Sequence, residues 1–286
     1  MKITEILSGS KPTLSFEVFP PKTTDKYEII SNAIKEIASL NPSYMSVTYG
    51  AGGGTSEFTS QIAKDVQSCG VTSLAHLSCI SSTKEKINYE LRKFNELGIE
   101  NVLALRGDIP NEFDRNKLSF HYAYELIDEI KRGGDFCIGG ACYPESHPES
   151  ISPEKDLEYL KLKVEHGCDF LTTQMFFDNE IFYSFMDKLH KMGINIPVIA
   201  GIMPITSISQ LEKIVFLAGN ALPSSFMQIV DKYSNDPISF RNASIDFAIK
   251  QARDIYSNGF KAVHIYSMNK PDVAREIQNN LWDVIK

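Results

Sequence analysis

The amino-acid sequence predicts an α/β protein whose eight parallel strands close into a (β/α)₈, or TIM, barrel. Eight apolar runs of strand length recur along the chain, separated by stretches with helical periodicity. Glycine also stands repeatedly between a helical stretch and the next strand, which is typical of alternating β and α units around a parallel sheet. Eight such strands favour a closed barrel, and an open, doubly wound sheet is the alternative.

The predicted strands are short apolar segments bounded by turn residues. They comprise residues 13–19, 43–47, 72–77, 101–105, 136–143, 170–173, 198–202 and 262–266. The glycines predicted to end helices in a left-handed conformation are Gly70, Gly98, Gly133, Gly167, Gly193 and Gly259.

Helices are predicted between these strands from apolar stripes and capping residues. The stripe after the first strand comprises Ile29, Ile30, Ala33, Ile34, Ile37 and Ala38. Ser152 followed by Pro153 is typical of an N-cap and a first helical residue. Residues 206–258 are too many for one helix, so extra helices are expected between strands seven and eight, with breaks at Pro223 and Pro237. No linker interrupts the chain, so we expect one domain over residues 1–286.

Composition excludes several classes of function. The net charge of −7 disfavours a broad nucleic-acid surface. No run of about 18 apolar residues and no apolar signal-peptide core is present, so we expect a cytoplasmic protein that does not contact a membrane. Five scattered cysteines without a C-x-x-C pair fit a reducing compartment and make a zinc site or a disulfide framework improbable.

Glu17 is the most unusual residue of the first strand. Strand alternation places Leu14 and Phe16 on one face and Glu17 on the other, and Pro20 and Pro21 stop the strand just beyond it. A carboxyl group held there among aromatic rings is desolvated, which raises its pKa. A structural salt bridge or an edge-strand charge is the alternative to a catalytic role.

The other strands also end in polar or aromatic residues. These strand ends carry residues 48–51, His76, residues 106–108, Tyr143 with Glu145 and His147, residues 173–174, residues 203–204 and Tyr266. Individually, His76 could be a core histidine, Tyr143 a rim aromatic, and Arg106 with Asp108 a surface pair. Active sites of such barrels form at the C-terminal strand ends, so the concentration of these residues there predicts a binding site.

Several chemistries are disfavoured by what these strand ends lack. The glycine-rich residues 50–55 lack the signature of a phosphate-binding loop and are interpreted as a flexible turn. No metal-ligand motif is present, so no metal is expected. No lysine ends a predicted strand, which argues against Schiff-base chemistry. One buried acid beside arginine, glutamine and aromatics suits a planar, hydrogen-bonding heterocycle.

Six motifs lie in or directly after these strands. They are SFEVFPPK at 15–22, SVTYGA at 46–51, ALRGD at 104–108, YPESHP at 143–148, TTQMFFD at 172–178 and GIMP at 201–204. Together they resemble the methylenetetrahydrofolate reductase family, and the match covers essentially the whole chain.

This resemblance implies a flavoprotein on a (β/α)₈ barrel that binds FAD at the C-terminal face. NADH or NADPH would reduce the FAD, and 5,10-methylenetetrahydrofolate would be converted to 5-methyltetrahydrofolate, a step of one-carbon metabolism that serves methionine biosynthesis. By motif position, Glu17 is the general acid, and Asp108 is an acid beside the flavin and the pterin. Cofactor contacts fall on Thr48, Tyr49, Ala51, His76, Arg106, Gly107, Asp108, Tyr122, Ala123, Tyr143, His147, Asp156 and Lys163. Substrate contacts fall on Glu17, Asp108, Gln174, Gln210 and Lys270.

The sequence departs from the family pattern at three positions. Ile214 replaces an aromatic residue of some relatives, Lys270 replaces an arginine at the folate tail, and Leu162 replaces a basic flavin contact. The resemblance is to the short bacterial form, so no inhibition by adenosylmethionine is expected. The alternatives are a catalytic subunit that takes electrons from a partner protein and a barrel that binds folate or flavin without turnover. The sequence is also compatible with a homo-oligomer or with a second, electron-transfer subunit.

Overall fold

The computed structural model describes residues 1–49, 56–80, 82–108, 118–218 and 222–286. Within these ranges eight parallel strands form a closed barrel in sequence order. They are β1 Thr13–Val18, β2 Met45–Val47, β3 Ser73–Ser78, β4 Asn101–Leu105, β5 Cys137–Cys142, β6 Phe170–Thr173, β7 Val198–Ile202 and β8 Ala262–Ile265.

Closure of the sheet is shown by the pairing of the first and last strands. Ser15 in β1 is in register with His264 in β8, and Glu17 is in register with Ser46 in β2. The predicted closed barrel is therefore confirmed, and the open-sheet alternative is wrong. Strands β4, β6 and β7 have the predicted bounds.

A short helix precedes the first strand, and the others follow the strands around the outside of the barrel. They are α1 Ile3–Leu7, α2 Tyr27–Ala38, α3 Ser56–Ser68, α4 Lys84–Leu97, α5 Ala123–Gly133, α6 Pro153–Glu165, α7 Asn179–Lys191, α8 Ile208–Ala218, α9 Ser224–Tyr233, α10 Pro237–Ser257 and α11 Pro271–Ile285. The extra helices expected between β7 and β8 are present, with Pro223 as the N-cap of α9 and Pro237 as the first residue of α10. Within the described ranges, none of these helices is long and apolar enough to cross a membrane.

Two local predictions about helices are wrong. Gly133 is the last residue of α5 and has no positive φ, unlike the other five predicted cap glycines. A Cβ at Gly133 would lie 2.7 Å from the Leu91 side chain, so the glycine permits close packing of α4 against α5. Ile29 is 69% exposed and leaves the apolar stripe of α2, which buries Ile34 and Ile37.

The two faces of the strands have different neighbours. Leu14, Phe16 and Val18 pack in the main core with apolar residues of the surrounding helices. Inside the barrel, Ile3 of α1 packs in a second apolar cluster, whose other buried members are Tyr44, Leu74, Leu103, Cys137, Phe170, Ile199 and Ala262.

A polar layer also lies in the barrel interior. His264 Nδ1 is 2.7 Å from Ser15 Oγ, and His264 Nε2 is 3.0 Å from Ser46 Oγ. Burial and the neighbouring His76 lower the pKa of His264 to about 3, so its ring is neutral near pH 7. Filled in this way, the interior supports side chains at the C-terminal mouth of the barrel.

Candidate active site

Glu17 lies on the interior face of β1, one residue before the strand ends. It is 5% exposed, and burial raises the pKa of its carboxyl group to about 8. Among the described residues, none of the ion pairs includes Glu17. The salt-bridge alternative therefore has no support in this part of the chain, and the group is protonated through most of the neutral range.

Tyr266 follows β8 and lies within electrostatic reach of Glu17. Burial and then the Glu17 charge hold the pKa of this phenol well above its usual value, so Tyr266 stays neutral. Its hydroxyl donates a 2.6 Å hydrogen bond to the Thr173 carbonyl oxygen, which fixes the ring across the mouth of the barrel. A Cβ at Gly201 would overlap that carbonyl oxygen and lie 2.7 Å from the Tyr266 hydroxyl, so the ring can lie there only beside glycine.

A cationic group lies where β4 and β5 end. Arg106 forms a 3.0 Å ion pair with Glu149. Lys163 of α6 donates a 2.7 Å hydrogen bond to the Ala141 carbonyl oxygen, and burial lowers the pKa of its amine. His147 has a pKa lowered by burial and by the Arg106 charge, so it is mainly neutral at pH 7.

Tyr143 and Asp156 complete this group. The Tyr143 ring packs edge-on against the His147 ring at 4.6 Å, and the main-chain N–H of His147 donates to the Asp156 carboxylate at 3.1 Å. Burial, followed by the Asp108 charge, raises the pKa of Tyr143 to about 12. Asp108 is thus within electrostatic reach of the cluster although its own side chain is exposed.

Tyr122 and Ala123 begin α5 at the edge of this group. Tyr122 is the N-cap, and its ring stacks on Tyr159 of α6 at 4.6 Å. The two hydroxyls are 3.1 Å apart. The Arg106 charge influences the pKa of the Tyr122 phenol, so these rings lie within electrostatic reach of the cationic group.

Gln210 and Lys270 meet through Thr206, on the opposite side of the mouth. Gln210 Oε1 accepts 2.9 Å hydrogen bonds from both the main-chain N–H and the hydroxyl of Thr206. Lys270 Nζ donates to the same hydroxyl, and partial burial lowers its pKa. Gln174 lies just after β6, and its main-chain N–H donates a 2.7 Å hydrogen bond to the Cys142 carbonyl oxygen.

The predicted residues of β2 and β3 lie deeper in the mouth. His76 is 7% exposed, and burial lowers its pKa to about 3, so it is a neutral donor or acceptor near pH 7. Thr48 and Tyr49 directly follow β2. Within the described ranges, the buried Thr48 hydroxyl has no hydrogen-bond partner. Ala51, together with the glycine-rich turn predicted at 50–55, lies outside the described residues.

The site can accept a phosphate-bearing cofactor. The Arg106 guanidinium can bind a phosphate through two parallel hydrogen bonds, and the Thr48 hydroxyl can bond to an incoming polar group. Gly107 has a φ of +85°, and a Cβ there would overlap Ser78 Oγ, so glycine brings the main chain close to β3. In the part of the chain that the structure describes, no group of three or more His, Cys, Asp or Glu side chains could hold a metal ion.

Several residues of this mouth were not predicted from the sequence as site residues. Thr206 joins Gln210 to Lys270, Glu149 pairs with Arg106, and Ser267 and Asn269 bond to the main chain of β1 and its extension. Gly201 inside a strand was a usable signal, since such a glycine often marks a close approach of another group. Apart from the bond between Thr206 and Gln210, which are four residues apart, these polar contacts carry no local sequence signal, because they join segments that are remote in sequence.

A buried carboxyl group with a raised pKa, a neutral histidine and a cationic rim at the C-terminal end of eight parallel strands define a barrel enzyme. The chain belongs to the methylenetetrahydrofolate reductase family, whose model matches residues 2–282, and it is an oxidoreductase. The family resemblance of the six motifs is thereby confirmed.

Relatives from bacteria and plants support this assignment. The chain is 34% identical to the 5,10-methylenetetrahydrofolate reductase of Pectobacterium carotovorum subsp. carotovorum over 94% of this chain and 89% of that protein. It is 33% identical to methylenetetrahydrofolate reductase (NADH) 1 of Arabidopsis thaliana, of which it spans 50%.

A solved structure supports the fold alone. An uncharacterized protein from Clostridium thermocellum, described as binding two copies of 5-methyl-5,6,7,8-tetrahydrofolic acid, superposes with a TM-score of 0.67 at 16% identity. The superposition covers 98% of this chain and 99% of that one.

Proposed function

We propose that the enzyme reduces 5,10-methylenetetrahydrofolate to 5-methyltetrahydrofolate, using FAD and either NADH or NADPH, with Glu17 as the general acid. The observation that carries this proposal is the Glu17 carboxyl group, buried at the mouth of the barrel with a pKa raised to about 8. The name shared by the bacterial relatives supports the same substrate.

The chemistry requires a proton donor at neutral pH. The one-carbon bridge of the substrate opens when N10 receives a proton, which leaves an iminium at N5 that can accept hydride. A glutamic acid with an ordinary pKa of about 4.3 would be only ~0.2% protonated at pH 7. With its pKa at about 8, Glu17 is about 90% protonated at pH 7 and can donate to N10.

The cationic group would hold the cofactor. When bound, FAD takes hydride from the nicotinamide and supplies it to the substrate carbon. Arg106 would pair with a phosphate after releasing Glu149, Lys163 would add positive potential, and the neutral His147 would add hydrogen bonds. The remaining proposed cofactor contacts are Thr48, Tyr49, Ala51, His76, Gly107, Asp108, Tyr122, Ala123, Tyr143 and Asp156.

The other side of the mouth would hold the folate. Gln174 offers both a donor and an acceptor, as the edge of a pterin requires, and Asp108 can accept from pterin N–H groups. Lys270, tied to Gln210 through Thr206, would bind a carboxylate of the folate tail as a point charge. We further propose that residues 1–286 act as one catalytic domain in the cytoplasm, without nucleic-acid or membrane partners.

The decisive test changes Glu17→Gln and measures each half-reaction by anaerobic stopped-flow absorbance. The amide keeps the shape but cannot deliver a proton. We expect flavin reduction by NADH to stay within about twofold, and reoxidation by methylenetetrahydrofolate to fall about 10²- to 10⁴-fold.

Glu129→Gln is the matched control, because Glu129 is a buried glutamate of α5 that pairs with Arg132 outside the site. It should leave both half-reactions unchanged. Reoxidation of Glu17→Gln by the folate at near wild-type rate would remove Glu17 from the mechanism. A wild-type protein whose flavin is not bleached by NADH or NADPH would favour a protein electron donor.

A further inference from the structure

The loop that follows β8 is hydrogen-bonded to the strand that carries Glu17. Ser267 is 1% exposed, and its hydroxyl donates a 2.9 Å hydrogen bond to the main-chain carbonyl oxygen of Glu17. This bond acts on the peptide unit that directly follows the Glu17 Cα. It therefore restrains the direction in which the side chain leaves the strand.

Asn269 makes a second, two-point contact with the extension of the same strand. Its Oδ1 accepts from the Phe19 N–H at 2.8 Å, and its Nδ2 donates to the Phe19 carbonyl oxygen at 3.0 Å. Phe19 lies just beyond the last residue of β1 and before two prolines. The asparagine carboxamide thus continues the barrel's hydrogen bonding by one residue, where prolines prevent a further strand.

The backbone of the loop is strained to make these contacts. Met268 and Asn269 have φ angles of 55° and 56°, in the left-handed region. Asparagine tolerates that region, whereas methionine rarely adopts it. Such strain persists only where surrounding contacts hold it, and it clusters at functional sites.

The same loop leads directly to Lys270. Lys270 is the N-cap of α11, and its Nζ donates to Thr206 in the Gln210 network. Four consecutive residues, 267–270, therefore connect the strand that carries Glu17 with the hydrogen-bond network of Lys270, Thr206 and Gln210.

We propose that Asn269, assisted by Ser267, is a positioning residue that sets the Glu17 carboxyl group toward the bound substrate. This inference rests on the proposed function, because it assumes that Glu17 is the proton donor. Removal of the Asn269 carboxamide frees the end of β1 and displaces the acid. A displacement of about 1 Å can cost on the order of 10² in rate.

The test is Asn269→Gly, which keeps the left-handed backbone accessible and removes the carboxamide together with its Cβ. At saturating folate we expect the reoxidation rate constant to fall about 10- to 100-fold, with flavin reduction by NADH within about twofold of wild type. Asn41→Gly is the matched control, because Asn41 is an exposed asparagine with a φ of 55° in the turn that precedes β2. It should leave both half-reactions unchanged.

A double-mutant cycle shows whether Asn269 acts through Glu17. Added to Glu17→Gln, the Asn269→Gly change should cause no further fall in the residual reoxidation rate, because the acid is already absent. If the two substitutions lower the reoxidation rate independently, so that their effects multiply, the proposal is overturned. Equal losses of rate in both half-reactions of Asn269→Gly would also overturn it. Ser267→Ala, which leaves the backbone unchanged, should show the same pattern to a smaller extent and takes over the test if Asn269→Gly does not fold.

The outcomes separate this inference from the proposed function. If Glu17→Gln reduces the folate normally, Glu17 is not the donor and both fail. If Glu17→Gln is impaired while Asn269→Gly and Ser267→Ala behave as wild type, only the positioning role fails.

Discussion

At the scale of single residues, the proton affinity of Glu17 has a simple physical origin. Burial raises its pKa to about 8, and no charged partner is needed for that shift. The shift also affects stability. Because the pKa of Glu17 is higher in the folded protein than the ordinary 4.5, the protonated side chain contributes to the free energy of unfolding. This contribution is fully present below pH 4.5 and is lost as pH rises toward 8.

Glu17→Gln should therefore change the pH dependence of stability. We expect the unfolding free energy of the variant, relative to wild type, to rise by about 1.4 kcal/mol per pH unit between about pH 5 and 8, because the amide never ionises. Urea denaturation at four pH values measures this difference, with Glu129→Gln as the control. A difference that does not vary with pH would show that Glu17 titrates normally.

Asp108→Asn should affect the two half-reactions unequally. Asp108 is exposed and lies within electrostatic reach of Tyr143, where a carboxylate can pair with pterin N–H groups and disfavour an anionic flavin. We expect a larger loss in folate turnover than in NADH oxidation, by stopped-flow measurement of each step. Equal losses would assign Asp108 a purely structural role.

At the scale of secondary-structure elements, one contact between β7 and the residue after β8 shapes the mouth. Gly201→Ala should destabilise the protein by about 1–3 kcal/mol, because its Cβ would overlap the Thr173 carbonyl oxygen and press on Tyr266. Folate turnover should fall with it as the Tyr266 ring moves. Thermal melting and steady-state assays measure the two effects.

Gly193→Ala is the control for this change. Its φ is +75°, but nothing lies within 4 Å of an added Cβ, so only backbone strain of about 1 kcal/mol is expected and turnover should be unaffected. If Gly193→Ala and Gly201→Ala lower the stability of the protein by the same amount, the close approach of Tyr266 does not restrict the side chain at position 201.

The elements were largely predictable from sequence, whereas the contacts between them were not. Alternation of Leu14 and Phe16 with Ser15 and Glu17 predicts which side chains enter the barrel, because a strand has a period of two. Gly133 was misassigned because a glycine needed for helix packing and one needed for a left-handed cap look alike in sequence. Bonds such as that of Ser267 to Glu17 depend on barrel closure between residues 250 apart.

At the scale of the whole molecule, the mouth combines a cationic side with the side that we propose to hold the folate. We expect the purified protein to bind FAD without a covalent bond, because Arg106, His76, Tyr143 and Lys163 converge on one face. Titration of the apoprotein measures this by quenching of flavin fluorescence. A colourless protein that fails to quench added FAD would contradict the prediction.

The hydrogen bonds from Ser267 and Asn269 to the end of β1 have a consequence for biosynthesis. Glu17 leaves the ribosome early, whereas the residues that orient its strand are made 250 positions later. Chains fold from the N-terminus as they are made, so most of the helices and strands can form before these anchors exist. If Glu17 is oriented by these bonds as we propose, the nascent chain acquires its proton donor only after β8 and its loop have been translated, and a prematurely terminated product would be inactive even if much of it were folded.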